Sequence, residues 1–193
     1  MRKKIIDRPS VEVLEAELQR VRYRNRYQAV FRSTLFTLIT VAAVAVLVAT
    51  LWLPVLQIYG SSMTPTLMDG QIVFSSKTND MEPGDIVAFY YNNKILIKRV
   101  VANAGDWVDI DQDGTVFVNS SELEEPYLEE KSFGDADIEL PYQVPDGKYF
   151  VMGDHRETSV DSRHTSVGCI GMEQVVGKIL FRVWPLENFG KVE

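Results

Sequence analysis

Leu35 to Leu56 is a run of 22 residues without a charge, LFTLITVAAVAVLVATLWLPVL. A helix rises about 1.5 Å per residue, so about 20 apolar residues cross the hydrocarbon layer of a bilayer. A buried core helix is the competing reading, but the run is long and has no polar face to turn toward water. The sequence therefore predicts a single transmembrane helix over 35–56, with Trp52 as an interfacial anchor and Pro54 near the helix end. A cleavable leader fits less well. The segment before the run is 34 residues long, and the run exceeds the roughly 7–15 residues of a leader's apolar core.

This run also divides the charge of the chain. Residues 1–34 hold nine Lys/Arg (Arg2, Lys3, Lys4, Arg8, Arg20, Arg22, Arg24, Arg26, Arg32) against four acids (Asp7, Glu12, Glu15, Glu17), a net of +5; the whole chain is −7, so the remainder is −12. Basic residues on one flank predict a cytoplasmic N-terminus and an extracytoplasmic domain over 57–193. The acidity of that domain argues against a nucleic-acid partner. Val11, Leu14, Leu18 and Val21 recur at heptad-like spacing and predict a short amphipathic helix before the span. Its arginines suit anionic headgroups of the lipid bilayer, and its apolar positions suit a weak dimer contact. Two heptads leave the oligomeric state open. The lone Cys169 excludes an intrachain disulfide and, within Val167-Gly168-Cys169-Ile170, reads as a small core residue.

After residue 57 the pattern becomes β. Strands are predicted at 72–75, 85–91, 95–101, 107–110, 115–118, 149–152 and 177–184, with tight turns at Asn92-Asn93, Asp113-Gly114 and Pro145-Asp146-Gly147. Met172 to Val176 is compatible with one helical turn. The expected fold is mostly β, with barrel-like or Greek-key closure. Residues 119–145 are acidic and aperiodic and read as an inserted loop or small cap outside the main sheet, largely solvated. Asp109, Asp111, Asp113 and Gly114 suggest a calcium loop, but the glutamate that such a loop requires is missing at its spacing.

Ser62, in Gly60-Ser61-Ser62-Met63-Thr64-Pro65-Thr66-Leu67, follows the apolar run directly. A serine nucleophile needs a base. His155 and His164 leave a Ser-His-Asp arrangement open by count. Lysine serves only where desolvation makes it neutral. Lys98, within Ile95-Leu96-Ile97-Lys98-Arg99-Val100-Val101, sits in an unusually apolar setting; an exposed edge-strand lysine is the alternative. Alternation puts Leu96, Lys98 and Val100 on one face and Arg99 on the other. The segment Met152 to Arg163 packs acids, arginines and hydroxyls into one loop, the composition of an ion-paired brace.

Four ordered segments together resemble a bacterial type I signal peptidase of the Ser/Lys dyad family. They are the apolar run leading into Gly60 to Leu67 with Gly70; Gly84-Asp85-Ile86-Val87; Lys98-Arg99-Val100-Val101 with Gly105-Asp106; and Gly153-Asp154 through Ser159, Asp161, Ser162 and Arg163. The resemblance implies Ser62 as nucleophile, Lys98 as neutral general base, Ser159 as the hydroxyl orienting it, and Asp161 and Arg163 as a supporting ion pair. It implies a plasma-membrane endopeptidase that acts on signal-peptide-bearing precursor proteins after a small-x-small motif, with no cofactor and no metal. Ile58, Met63, Leu67, Leu96 and Ile97 are the expected pocket residues. Relatives often carry Ser or Thr at the position of Gly60 as a second oxyanion donor, and Asn at the position of His155. An inactive relative in pilus or surface-protein assembly is the alternative; such proteins lose the serine and lysine, which are both present here.

Overall fold

A computed structural model describes residues 10–52, 54–78 and 80–192, with the side chains of 49–52 excepted. The chain divides into two units, residues 1–48 and 49–193.

The first unit is one uninterrupted helix, α1 (Val11–Trp52), whose last residues run into the second unit. No glycine or proline lies between Val11 and Trp52, so nothing in the sequence kinks or stops it. The predicted amphipathic helix and the predicted span are therefore one rod of 42 residues, about 63 Å long. Its window of highest hydropathy is unburied, and by length and composition the helix is able to cross a membrane. Thr37 and Thr40 donate their hydroxyls to the carbonyls of Ser33 and Phe36, so neither hydroxyl is left bare in the apolar run. Residues 1–9, which carry four of the basic residues counted above, lie outside the described residues.

The apolar run does not stay helical to Leu56. Helix gives way at Pro54, and β1 (Val55–Gln57) pairs antiparallel with β2 (Ile72–Ser76). Pro54 has no N–H with which to continue a helix. Its carbonyl instead accepts from the Ser75 N–H and hydroxyl, which ties the start of β1 to the sheet.

The second unit is mostly β. The remaining strands are β3 (Ile86–Tyr91), β4 (Lys94–Ala102), β5 (Trp107–Ile110), β6 (Val116–Val118), β7 (Ser121–Glu122), β8 (Tyr142–Gln143), β9 (Lys148–Met152), β10 (Ile170–Gly171), β11 (Val175–Trp184) and β12 (Gly190–Lys191). One sheet runs β1-β2-β11-β3-β4-β9-β10, with β12 also on β11; a second runs β7-β6-β5-β8. All seven predicted strands and the three turns are present, with Asn92 at φ +50° in the β3–β4 hairpin. Among the described residues β1 and β10 do not pair, so the expected barrel-like closure is corrected to open sheets.

Strand β3 shows how the core is built. Ile86 and Ala88 face one apolar cluster with Ile58, Met63, Leu67 and Val73, while Val87 and Phe89 face another with Val100, Val151 and Ile170. Both faces are covered, so β3 is apolar throughout rather than alternating. A third cluster, around Val101, Val108, Val116 and Phe150, joins the two sheets. Residues 119–145 are less detached than their composition suggests. They supply β7 and β8 to the second sheet, and Leu123, Phe133, Ile138 and Leu140 pack on the third cluster.

Candidate active site

Ser62 is half-buried on the loop between β1 and β2. Met63 and Leu67, one helical turn apart and linked by a Leu67 N–H to Met63 carbonyl bond of 2.8 Å, are pegged into the core on its C-terminal side. Ile58 is pegged on the other. Gly60 takes φ +89°, a left-handed conformation that disfavours other residues, and its N–H donates to Asp69 Oδ1 at 2.7 Å. That is a physical reason for glycine at this position, and it leaves no side-chain hydroxyl there. Among the described residues the Ser62 N–H donates to no group.

Lys98 is 3% exposed, which removes the exposed edge-strand alternative. Burial lowers its pKa from 10.5 to about 8, partly opposed by the Asp161 carboxylate. Ser62 and Lys98 line the same cavity, of about 750 Å³. One wall is β1 with Ile58, Tyr59 and Gly60; the other is the first half of β4, Lys94 to Lys98, with Asn93. This half of β4 pairs with β3 on one edge only, because β9 begins its pairing at Arg99. The outer edge of β1 is likewise unpaired among the described residues. The cavity thus has free backbone on two sides.

Of the expected pocket residues, Ile58, Met63, Leu96 and Ile97 line this cavity. Leu67 does not: it is fully buried in the core, where it anchors the loop. Leu56, Gln57, Tyr59 and Ile95 also line the cavity. Position beside Ser62 and Lys98 in the sequence points to part of this wall, whereas β1 lies largely within the apolar run and carries no such signal.

Behind the cavity lies a buried ionic frame. Arg99 makes a two-pronged contact with Asp154 (2.9 and 2.7 Å), and Thr66 of the Ser62 loop donates to Asp154 at 2.5 Å. Arg163 is fully buried, pairs with Asp161 through Nε and Nη2 (2.9 Å each), and donates to the carbonyls of Phe133, Arg156 and Ser159. Burial alone would raise the Asp161 pKa, but the Arg163 contacts and the Gly153 N–H hold it below the usual carboxylate range. Ser159 is 2% exposed and its Oγ makes no hydrogen bond of good geometry, although it lies near enough to the Asp161 carboxylate to help lower its pKa.

Gly153 was not singled out for a role of its own, yet it brings the two parts of the site together. A Cβ built there would collide with the Ser159 hydroxyl and the Ser62 carbonyl, so only glycine permits this approach. The His155 N–H donates to the same Ser62 carbonyl at 3.1 Å. Its ring instead meets the Thr158 hydroxyl at 2.7 Å.

The sequence matches the family described as signal peptidase, peptidase S26, over residues 31–184. It is similar to signal peptidase IB of Staphylococcus aureus (strain Mu50), at 40% identity over 153 aligned residues covering 68% of this chain and 78% of that one. It is also similar to signal peptidase I of Bacillus licheniformis, at 34% identity over 182 residues covering 88% and 96%. Among solved structures it resembles a signal peptidase I from Enterococcus faecalis V583, with TM-score 0.44 and 28% identity over 51% of this chain and 96% of that one. The family match and the two sequence relatives place the chain among the serine-type peptidases. Within that class it belongs to the signal peptidase, peptidase S26, family.

Proposed function

We propose that this chain is a membrane-anchored endopeptidase that removes N-terminal signal peptides from exported precursors, with Ser62 as nucleophile and Lys98 as general base. The observation that carries the reading is a buried lysine of lowered pKa lining one cavity with a half-buried serine. A lysine accepts a proton only when neutral, and desolvation is what makes it neutral near working pH.

In this reading Lys98 Nζ takes the Ser62 hydroxyl proton as Oγ attacks the scissile carbonyl. The Ser62 N–H donates to the oxyanion that forms. Collapse breaks the C–N bond, Lys98 gives its proton to the leaving amine, and the signal peptide remains as an ester on Ser62. Water, deprotonated by Lys98, then hydrolyses that ester. The Ser159 hydroxyl, buried and without a hydrogen-bond partner among the described residues, turns to the amine during the reaction, and Asp161 with Arg163 holds the Ser159 segment. The precursor adds as an extended strand to the free edge of β4, with small residues one and three before the cut directed at the wall formed by Ile58, Met63, Leu96 and Ile97.

The anchor is α1, with the basic N-terminal segment cytoplasmic and the β unit outside. Confinement to one plane with its substrate raises their effective concentration.

The test is cleavage of a precursor by detergent-solubilised protein, comparing Ser62→Ala and Lys98→Met with wild type. Both variants are expected to lose turnover; full activity in either removes the dyad. Protease digestion of sealed inside-out vesicles tests orientation, and loss of the β unit from the cytoplasmic face would reverse it.

A further inference from the structure

The acidic insert does more than cover the second sheet. The Glu125 side chain is fully buried and makes a two-pronged ion pair with Arg156, through Nη2 and, at 3.1 Å, through Nη1. Tyr127 donates its hydroxyl to the same carboxylate at 3.0 Å and lays its ring 3.8 Å from the Arg99 guanidinium carbon. Arg156 in turn donates from Nε to the Gly153 carbonyl, and its own carbonyl accepts from Arg163. The insert therefore touches all three buried arginines: Glu125 holds Arg156, Tyr127 covers Arg99, and the Phe133 carbonyl accepts from Arg163.

The charge count points the same way. Arg99, Arg156 and Arg163 are balanced by Asp154, Asp161 and Glu125, and the third carboxylate comes from the insert. With Lys98 neutral this buried frame has no net charge; protonating Lys98 makes it positive. None of these insert residues lines the Ser62–Lys98 cavity.

We propose that Glu125 and Tyr127 are positioning residues for the reaction, fixing through Arg99 and Arg156 the strand that carries Lys98 and the loop that carries Gly153 and Ser159. This rests on the reading of Lys98 as the base. Arg99 follows Lys98 on β4 with its side chain on the opposite face, so the Tyr127 ring acts on the base through the strand those two residues share and through the Asp154 that Arg99 holds. The charged groups acting on Lys98 itself are Asp161, Arg163 and Asp154. Each of them is in the frame that the insert closes.

The experiment measures kcat, KM and the pH profile of full-length protein in detergent on a precursor substrate. Tyr127→Leu is expected to lower kcat roughly tenfold with KM within about twofold, because misplacement acts on the reacting groups and not on the cavity. A loosened β4 relaxes the burial that lowers the Lys98 pKa, and is expected to raise the acid limb of the profile by roughly half a pH unit. Tyr127→Phe keeps the ring and is expected to stay within about threefold of wild type. Glu125→Gln leaves an unbalanced buried cation, so its acid limb is expected to move the opposite way, to lower pH.

A Tyr127→Leu protein with wild-type kcat and acid limb overturns the proposal, as does a loss confined to KM or equal losses in the Phe and Leu variants. A lowered melting temperature with an unmoved acid limb assigns the insert a purely structural role and overturns it too. If the leucine variant does not fold, Tyr127→Met fills the volume without an aromatic face and is read by the same criteria. Lys98→Met run alongside separates the two readings. Activity in that variant removes the base itself, whereas an inactive Lys98→Met beside a wild-type-like Tyr127→Leu removes only the positioning role.

Discussion

Replacing Lys98 by methionine is expected to stabilise the β unit near neutral pH while removing turnover. Burial lowers the lysine pKa from 10.5 to about 8. Each pKa unit corresponds to about 1.4 kcal/mol, so holding this group in the fold disfavours the native state by about 3 kcal/mol wherever it is protonated. Below pH 8 it is protonated in both folded and unfolded chains, and the full penalty is present. Between pH 8 and 10.5 the unfolded chain binds more protons than the folded one, so wild-type stability rises with pH. Above 10.5 the group is neutral in both, and the penalty is gone. Methionine keeps an unbranched apolar stem without the charge. The stability difference between variant and wild type is therefore about 3 kcal/mol at pH 7 and closes as pH reaches 10.5, on top of a constant packing difference that the comparison removes. For a unit of this size that is a rise in Tm of roughly 6–12 °C at pH 7. Urea denaturation of both full-length proteins in detergent at pH 7, 8, 9 and 10.5, followed by tryptophan fluorescence, measures it. A difference that stays flat across this range refutes the argument, because it would mean that the folded chain leaves the amine as basic as the unfolded one does.

With Lys98 as the proposed base, kcat/KM is expected to fall as pH drops through about 8, and a profile flat from roughly pH 6 to 9 contradicts a lysine base. Arg163→Ala leaves a buried carboxylate and three carbonyls without their donor, and is expected to lose about 3–5 kcal/mol in urea titrations. Arg163→Lys is expected to recover little, because one ammonium cannot reproduce the fork. Gly153→Ala places a methyl group against Ser159 and the Ser62 backbone, and turnover is expected to fall by about 100-fold or more while circular dichroism stays native-like. Burial pushes the Cys169 thiol up to about 11, so it is expected to resist iodoacetamide at pH 8 until the chain is unfolded.

Some of this was legible in the sequence because it depends on local order. The β3–β4 hairpin announces itself through two apolar runs joined by Asn92-Asn93, and the Met152–Arg163 segment carries its ion pair within three positions, Asp161 and Arg163. What was not legible depends on partners distant in the chain. An apolar strand and the end of an apolar helix have the same composition, so only the pairing of β1 with β2 distinguishes Val55 and Leu56 from the helix before them. Leu67 is as apolar as a pocket residue, and only packing assigns it to the core. Glu125 sits among many acids, and nothing local distinguishes a solvated carboxylate from one buried against Arg156, 31 residues away. The acidity of the insert was a correct description of its surface and concealed the one carboxylate that faces inward.

Buried ion pairs are weak contributors to stability, since apolar residues of equal volume often do as well or better. Stability alone does not explain why this unit encloses Arg99, Arg156 and Arg163 with their carboxylates beside a single lysine. Their arrangement makes sense as a fixed electrostatic surround. It closes to neutrality only when the lysine is uncharged, and its hydrogen bonds reach the Ser62 loop at Thr66, the Gly153 contact with Ser62, and the Ser159 backbone. In the proposed reaction a paired polar frame of this kind holds the reacting groups in place without reorganising as the proton moves. The pairing and the neutrality are one property, because each arginine in the frame is held by the carboxylate that cancels its charge.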